Sequence, residues 1–180
     1  MKRSLLAALC ALLALSSSAC GGGKGDAAAR TATASLQAEL LQQSASGASA
    51  FRSSADQAQC TASRVVDAVG TTRLRSYGLL DTENKATTKT LDDTTLSTKD
   101  ATAVVNAVID CLGSDTFTST LRTAVGKSFS TAKTAAQRAC LESKLTIATL
   151  KPMLIATLSG DHAAGQTFAQ SLLACASTKK

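Results

Sequence analysis

The fold is decided by the stretch STKDATAVVNAVIDCLG at residues 97–113. Its apolar residues recur at the three- and four-residue spacing that puts them on one face of an α-helix. They are Ala101, Val104, Val105, Val108, Ile109 and Leu112. Ser97 stands three residues before Asp100, which resembles the capping box of a helix start, and Gly113 is typical of a helix end. The stretch therefore predicts an amphipathic helix with one face in a core.

The sequence on both sides of this helix shows the same kind of pattern, and no stretch alternates as a strand would. Upstream, we predict a helix that Asp56 caps and that ends at Gly70, a short helix over Thr71–Tyr77, and a polar loop from Leu79 to Leu96. Downstream, we predict four helices: one capped by Asp115, a long one from Ser130 or Thr131 through Ala148, a short one with Pro152 in its first turn and its end at Gly160, and a last one that carries Cys175. The fold class is therefore all-α, a small helical bundle.

Two parts of the chain resemble each other and indicate an internal repeat. Gln59–Arg64 matches Ala139–Lys144, and Val104–Cys111 matches Phe168–Cys175. The two matches differ in offset by about the length of the loop at residues 81–96. We therefore predict two related helical units, at about residues 55–112 and 131–176, of which the first carries an extra loop.

Four cysteines lie within the two units, at positions 60, 111, 140 and 175. They allow three pairings, and their spacing alone does not choose among them. In each unit one cysteine lies near the start of a helix and the other near the end of a later helix, so antiparallel packing brings the two together. The repeat thus favours the disulfides Cys60–Cys111 and Cys140–Cys175. Each closes a loop worth about 4 kcal/mol against the unfolded chain.

The first 19 residues have the composition of a secretory signal peptide. Lys2 and Arg3 precede an apolar run over Leu5–Leu15, which is too short for a stable membrane span, and small residues follow at Ser16–Ala19. Export to an oxidising compartment agrees with structural disulfides.

Cys20 comes directly after these small residues, and Gly21–Gly23 follow it. This arrangement resembles the processing site of bacterial lipoproteins, although Ser17 stands where that family usually has Leu, Val or Ile. The resemblance implies cleavage before Cys20, a diacylglycerol on its thiol, and a lipid-anchored protein on the extracytoplasmic face of the cell membrane. The alternative is free secretion. We expect residues 20–54 to be a flexible tether with at most one loose helix, near Ala27–Gln43, and residues 55–180 to be the helical domain.

The cysteine-bearing helices also look like those of the small four-cysteine helical envelope lipoproteins of actinobacteria. The likeness covers about residues 55–176 and rests mainly on the spacing of the cysteines. It implies no particular activity.

The charge pattern limits the classes of partner. Without residues 1–19 the chain keeps 17 of its 19 basic residues and all 13 acidic ones, and the basic residues are scattered. Aromatic residues make up 3% of the chain and there is no Trp, so a nucleic-acid surface with stacking side chains is not expected. The membrane, an envelope protein or a cell-wall polymer remain as partners.

The sequence holds no convincing constellation for chemistry. The four cysteines lack the close-paired spacing of a zinc site, His162 is the one histidine, and no phosphate-binding glycine loop is present, so we predict no metal and no cofactor. Ser159, Asp161 and His162 contain the residue types of a hydrolytic triad, but we expect Asp161 to cap a helix and His162 to lie on its surface.

We therefore predict a non-enzymatic binding or interaction module. A hydrolase that uses His162 is one alternative, and an immunity or inhibitor lipoprotein is another. The loop at residues 81–96 is either a recognition surface or a tolerated insertion.

Overall fold

The computed structural model describes residues 24–46, 53–128 and 134–177. The predicted signal peptide and Cys20 lie outside the described residues. Eight α-helices form the described part of the chain, and its one β-pairing is an isolated bridge between Leu80 and Ala86. The helices are α1 (Lys24–Ser46), α2 (Ala55–Val69), α3 (Thr71–Ser76), α4 (Thr98–Leu112), α5 (Ser114–Ser128), α6 (Ala135–Lys144), α7 (Ile147–Leu158) and α8 (His162–Ser177). The predicted all-α bundle is confirmed.

Helix α4 occupies the centre of the bundle, where it packs against α2, α5 and α7. The hydroxyl of Ser97 accepts a hydrogen bond from the Asp100 backbone N–H at 3.2 Å, so the helix start is capped as the sequence indicates. The helix ends before Gly113, whose φ of 81° favours a residue without a side chain. The buried face contains the predicted residues Ala101, Val104, Val105, Ile109 and Leu112.

The start of α2 differs from the prediction. Ser54, and not Asp56, is the N-cap: its hydroxyl accepts from the Gln57 N–H at 3.2 Å, and the Gln57 side chain accepts from the Ser54 N–H at 3.0 Å. This reciprocal pair satisfies two N–H groups that a helix start leaves open, so it prevails over a single cap at Asp56. Asp56 then lies in the first turn.

Downstream of α4 the helix boundaries differ from the prediction. Asp115 lies in the first turn of α5, and the helix begins one residue earlier. The predicted long helix is two helices, because its chain turns at Leu145, and the predicted start at Ser130 or Thr131 lies outside the described residues. The cap that the structure describes at the start of α6 is Thr134, which forms a capping box with Gln137.

The predicted short helix with Pro152 in its first turn begins earlier than expected. The helix α7 starts at Ile147, so Pro152 lies within it. Thr146 is its N-cap residue, and the Thr146 backbone N–H donates to the Thr149 hydroxyl. The apolar pattern runs through the break between α6 and α7, which is why it predicted one helix there.

Helix α1 packs along α2. Ala32 of α1 and Ala58 and Ala62 of α2 are almost fully buried. At the positions that the repeat aligns with Ala58 and Ala62, the second unit has the exposed residues Arg138 and Glu142. The second unit therefore presents a polar surface where the first is buried.

Two adjoining apolar clusters form the core. The first joins α1 to α2, α3 and the N-terminal half of α4, and it includes Leu79, Leu80 and Leu96 from the loop. The second joins the C-terminal half of α4 to the helices of the second unit, with Phe117, Leu150 and Cys175 nearly inaccessible. Ile155 and Leu158 of α7 contact both clusters, so the bundle is continuous.

Both predicted disulfides are present. Cys60–Cys111 joins the second turn of α2 to the last turn of α4 with a Cα–Cα distance of 5.7 Å, and Cys140–Cys175 joins α6 to α8 with a distance of 5.5 Å. Each bond therefore joins the first helix of a predicted unit to its last helix. The division of the chain into repeat units stays a prediction. Within the predicted tether, however, the expected loose helix near Ala27–Gln43 is the longer helix α1, which packs on α2 and buries Ala32 in the first cluster.

Candidate functional site

A buried carboxylate organises the end of the bundle where α2 leads into α3 and α4 begins. The Asp100 side chain is 1% exposed. Its Oδ2 accepts a hydrogen bond from the Tyr77 hydroxyl at 2.8 Å, and its Oδ1 lies 3.0 Å from Nη1 of Arg73. The Tyr77 oxygen in turn accepts from the Ser97 backbone N–H at 3.1 Å. Buried carboxylates need such partners, because removal from water without them costs several kcal/mol.

Arg73 extends this network to the end of α2. Its Nε donates to the carbonyl oxygen of Val69 at 2.7 Å, and its Nη2 donates to that of Ala68 at 3.1 Å. These carbonyls lie in the last turn of α2, where no helical N–H remains to bond them. The guanidinium of Arg73, a residue of α3, therefore bonds the last carbonyl groups of α2 and also pairs with Asp100 in the first turn of α4.

The loop over residues 79–97 contains the segment 81–96, predicted to be either a recognition surface or a tolerated insertion, and it is held on this network and on α1. The Ala86 N–H donates to the Ser35 hydroxyl of α1 at 2.7 Å, and the Leu96 N–H donates to the carbonyl oxygen of Leu158 at 2.8 Å. Nζ of Lys89 donates to the Tyr77 carbonyl oxygen at 3.0 Å. The loop thus presents a fixed outer surface, which includes Thr82, Glu83, Thr88 and Lys89.

Local hydrogen bonds also shift the pKa values of two charged side chains on this loop. The hydroxyl and the backbone N–H of Thr90 both donate to Oδ2 of Asp93, at 2.8 and 3.1 Å, and they lower the pKa of Asp93. The Glu83 carboxylate, by its hydrogen bond and its charge, raises the pKa of Lys85.

An open cleft of about 380 Å³ lies between α1 and α2. Its lining is largely polar, with Arg30 and Thr33 on one side and Gln59, Ser63 and Asp67 on the other. Arg30 and Asp67, one cationic and one anionic side chain, are both among the exposed residues that line the cleft.

The residues of the candidate hydrolytic site are engaged in local structure. Oδ1 of Asp161 accepts from the Ala164 N–H at 3.2 Å, so it caps α8, and the Ser159 hydroxyl donates to the Ile155 carbonyl oxygen at 2.8 Å. His162 is exposed at the first position of α8. Ser159, Asp161 and His162 are close together in the sequence. The described hydrogen bonds of Ser159 and Asp161, however, are made with the end of α7 and the start of α8.

Two further features bear on the predicted sites. Within residues 24–46, 53–128 and 134–177, no group of three or more His, Cys, Asp or Glu side chains is placed to hold a metal ion. A helix with the length and hydropathy to cross a membrane is also not found in the described ranges.

The comparisons with known proteins give no relatives. No protein-family model matches the chain, and neither a curated protein nor a solved structure matches it.

The sequence pattern does not reveal the Arg73–Asp100–Tyr77 network. It indicates Asp100 only as part of a helix cap, and Tyr77 only as the end of a short helix. The one signal was that Tyr77 is the single tyrosine of the chain. Its partner lies 23 residues away, and only the fold brings the two together.

Proposed function

We propose that this protein is a lipid-anchored binding module on the outer face of a cell membrane, with no catalytic activity. Cys20 carries the lipid, and the helical bundle binds an envelope protein or a cell-wall polymer. The observation that carries the proposal is the sequence Ser16–Ala19, Cys20 and Gly21–Gly23, which ends directly before the start of α1 at Lys24.

The two disulfides support an extracytoplasmic location. They persist in oxidising compartments and are uncommon in cytosolic proteins. A small domain gains from them stability that its limited apolar area does not supply.

The outer surface of the loop over residues 79–97 is the binding surface of this proposal. Buried leucines and hydrogen bonds to α1 and α7 hold its backbone, while Thr88 and Lys89 stay exposed. A rigid loop presented by a scaffold loses little conformational entropy when it binds.

Detergent phase separation tests the anchor. The wild-type protein is expected in the detergent phase, and a Cys20→Ser chain produced without residues 1–19 in the aqueous phase. Recovery of both proteins in the aqueous phase contradicts the lipid anchor.

Crosslinking in the host envelope tests the binding surface. Thr88→Arg places a bulky charge on the outer surface of the loop, and Thr167→Arg makes the same change at an exposed position of α8. We expect the first variant to lose the crosslinked partner and the second to keep it. A partner that survives Thr88→Arg contradicts the assignment of the loop.

A further inference from the structure

The chain between the proposed lipid and the first helix is very short. Only Gly21–Gly23 separate Cys20 from Lys24, the first residue of α1. At 3.3–3.6 Å per residue, the distance from Cys20 to the start of α1 is at most about 14 Å. The N-terminus of α1 therefore lies next to the headgroups of any bilayer that holds Cys20.

The packing of the helices shows which other elements share that end of the bundle. Helix α1 runs antiparallel to α2, because Ser44 near its C-terminus accepts from the Ser53 N–H just before α2 begins, and Nε2 of Gln37, further back along α1, donates to the carbonyl oxygen of Ala55 in α2. The N-terminus of α1 thus lies at the level of Gly70.

Helix α4 is antiparallel to α2 as well. Cys111 at the end of α4 is bonded to Cys60 near the start of α2, and Asp100 at the start of α4 pairs with Arg73 just after α2 ends. The first end of the bundle, called here the anchor end, therefore contains the N-terminus of α1, the turn at Gly70, and the N-terminus of α4.

The opposite end, called here the disulfide end, contains the N-terminus of α2 and the C-terminus of α4. The start of α5 at Ser114 follows directly. Helix α2 has 15 residues, so the two ends are separated by about 22 Å. The carbonyl oxygen of Leu158 at the end of α7 accepts from the Leu96 N–H just before α4 begins, so α8 starts at the anchor end and runs back along α7. Leu173, which is 58% exposed near the end of α8, therefore lies toward the disulfide end.

We propose that the anchor end of the bundle faces the bilayer and that the disulfide end points away from it. This inference rests on the proposed lipidation of Cys20. The partner of the anchor end is a lipid surface. The covalent lipid on Cys20 and the short chain after it hold the bundle there, without an inserted apolar side chain. The disulfide end and the outward side of the bundle are then the surfaces open to soluble envelope partners.

Energy transfer from tryptophan to a headgroup-labelled lipid measures this orientation. The chain has no Trp, so a single introduced Trp reports one site. Thr72→Trp labels the anchor end at an exposed position of α3, and Ser114→Trp labels the disulfide end at an exposed position of α5. Ala27→Trp, at an exposed position near the start of α1, is the reference, because the short chain after Cys20 keeps this site near the membrane.

Each lipidated variant is reconstituted into phosphatidylcholine vesicles that contain dansyl-labelled phosphatidylethanolamine. We expect transfer from Thr72→Trp to approach that of Ala27→Trp and to exceed that of Ser114→Trp severalfold. Equal transfer from the two ends, or stronger transfer from Ser114→Trp, overturns the orientation.

Intact mass of the same samples separates this result from a failure of the anchor. A variant without diacylglycerol shows that the proposed function is wrong, whatever its transfer. A lipidated, disulfide-bonded variant with equal transfer from both ends shows that only the orientation is wrong.

Discussion

The hydroxyl of Tyr77 donates a hydrogen bond to the buried Oδ2 of Asp100 at 2.8 Å. This contact, together with the Arg73 guanidinium at Oδ1, joins the end of α3 to the first turn of α4. The loop over residues 79–97 starts and ends on these two helices. The network therefore fixes both ends of the proposed binding surface.

Asp100→Asn is expected to lower the free energy of unfolding by about 2 kcal/mol. The change leaves a buried amide facing Arg73 and removes a charged acceptor from Tyr77. The loss stays moderate because the Arg73 side chain is 42% exposed and water can solvate its charge. Urea denaturation measures the effect.

Asp115→Asn is the matched control. Asp115 also lies in the first turn of a helix, but it is exposed. Its removal is expected to cost at most about 0.5 kcal/mol through the helix dipole. Equal losses for the two variants would mean that helix capping, and not the buried network, gives Asp100 its importance.

Reduction of the disulfides is expected to lower the melting temperature sharply. Cys60–Cys111 and Cys140–Cys175 span sequence separations of 51 and 35 residues, and each restricts the unfolded chain by about 4 kcal/mol. Calorimetry with and without reductant checks this. An unchanged melting temperature, with free thiols confirmed by alkylation, would contradict the structural role of the bonds.

Ala58→Leu is expected to destabilise the protein by about 1–3 kcal/mol, because Ala58 is fully buried on α2 and its site has no room for the larger side chain. Ala68→Leu makes the same change at an exposed position of the same helix and is expected to be nearly neutral. Chemical denaturation of the pair tests whether the buried face of α2 is closely packed. A neutral Ala58→Leu would show that it is not.

Asp93 is expected to titrate below its usual pKa of 3.8, because the Thr90 hydroxyl and N–H stabilise its carboxylate. The lowered pKa means that this interaction contributes to stability above pH 3.8 and that its contribution is lost as the pH falls through the folded-state value. Carbon-13 NMR of the carboxyl group measures the titration.

Thr90→Val removes the hydroxyl donor and is expected to raise the pKa of Asp93 toward 3.8. Thr88→Val, the same change two residues away, is expected to leave it where it is. If Thr90→Val has no effect on the titration, the backbone N–H alone accounts for the lowered pKa.

The sequence predicts those parts of the fold that depend on local patterns. The stripe from Ala101 to Leu112 forms α4 because helical periodicity and burial agree there. The disulfide pairing follows from the repeat, because antiparallel helices bring the start of one beside the end of the other. These features need no knowledge of distant contacts.

The missed features depend on competition or on long-range contacts. The apolar pattern continues from Leu141 through Leu145 to Leu150, yet the chain breaks between α6 and α7, where Thr146 begins a new helix. Asp100 has the spacing of a capping residue, but its side chain turns inward to Tyr77 and Arg73. Neither outcome can be deduced from neighbouring residues alone.

The most direct test of the account is the intact mass of the protein from its host membrane, alkylated without reduction. We predict a mass that begins at a diacylglycerol-modified Cys20 and includes no alkylated cysteine. That single value would establish the anchor and both disulfides together. A chain that begins elsewhere without lipid would contradict the membrane anchor, and alkylation of Cys60, Cys111, Cys140 or Cys175 would contradict the disulfide-bonded bundle.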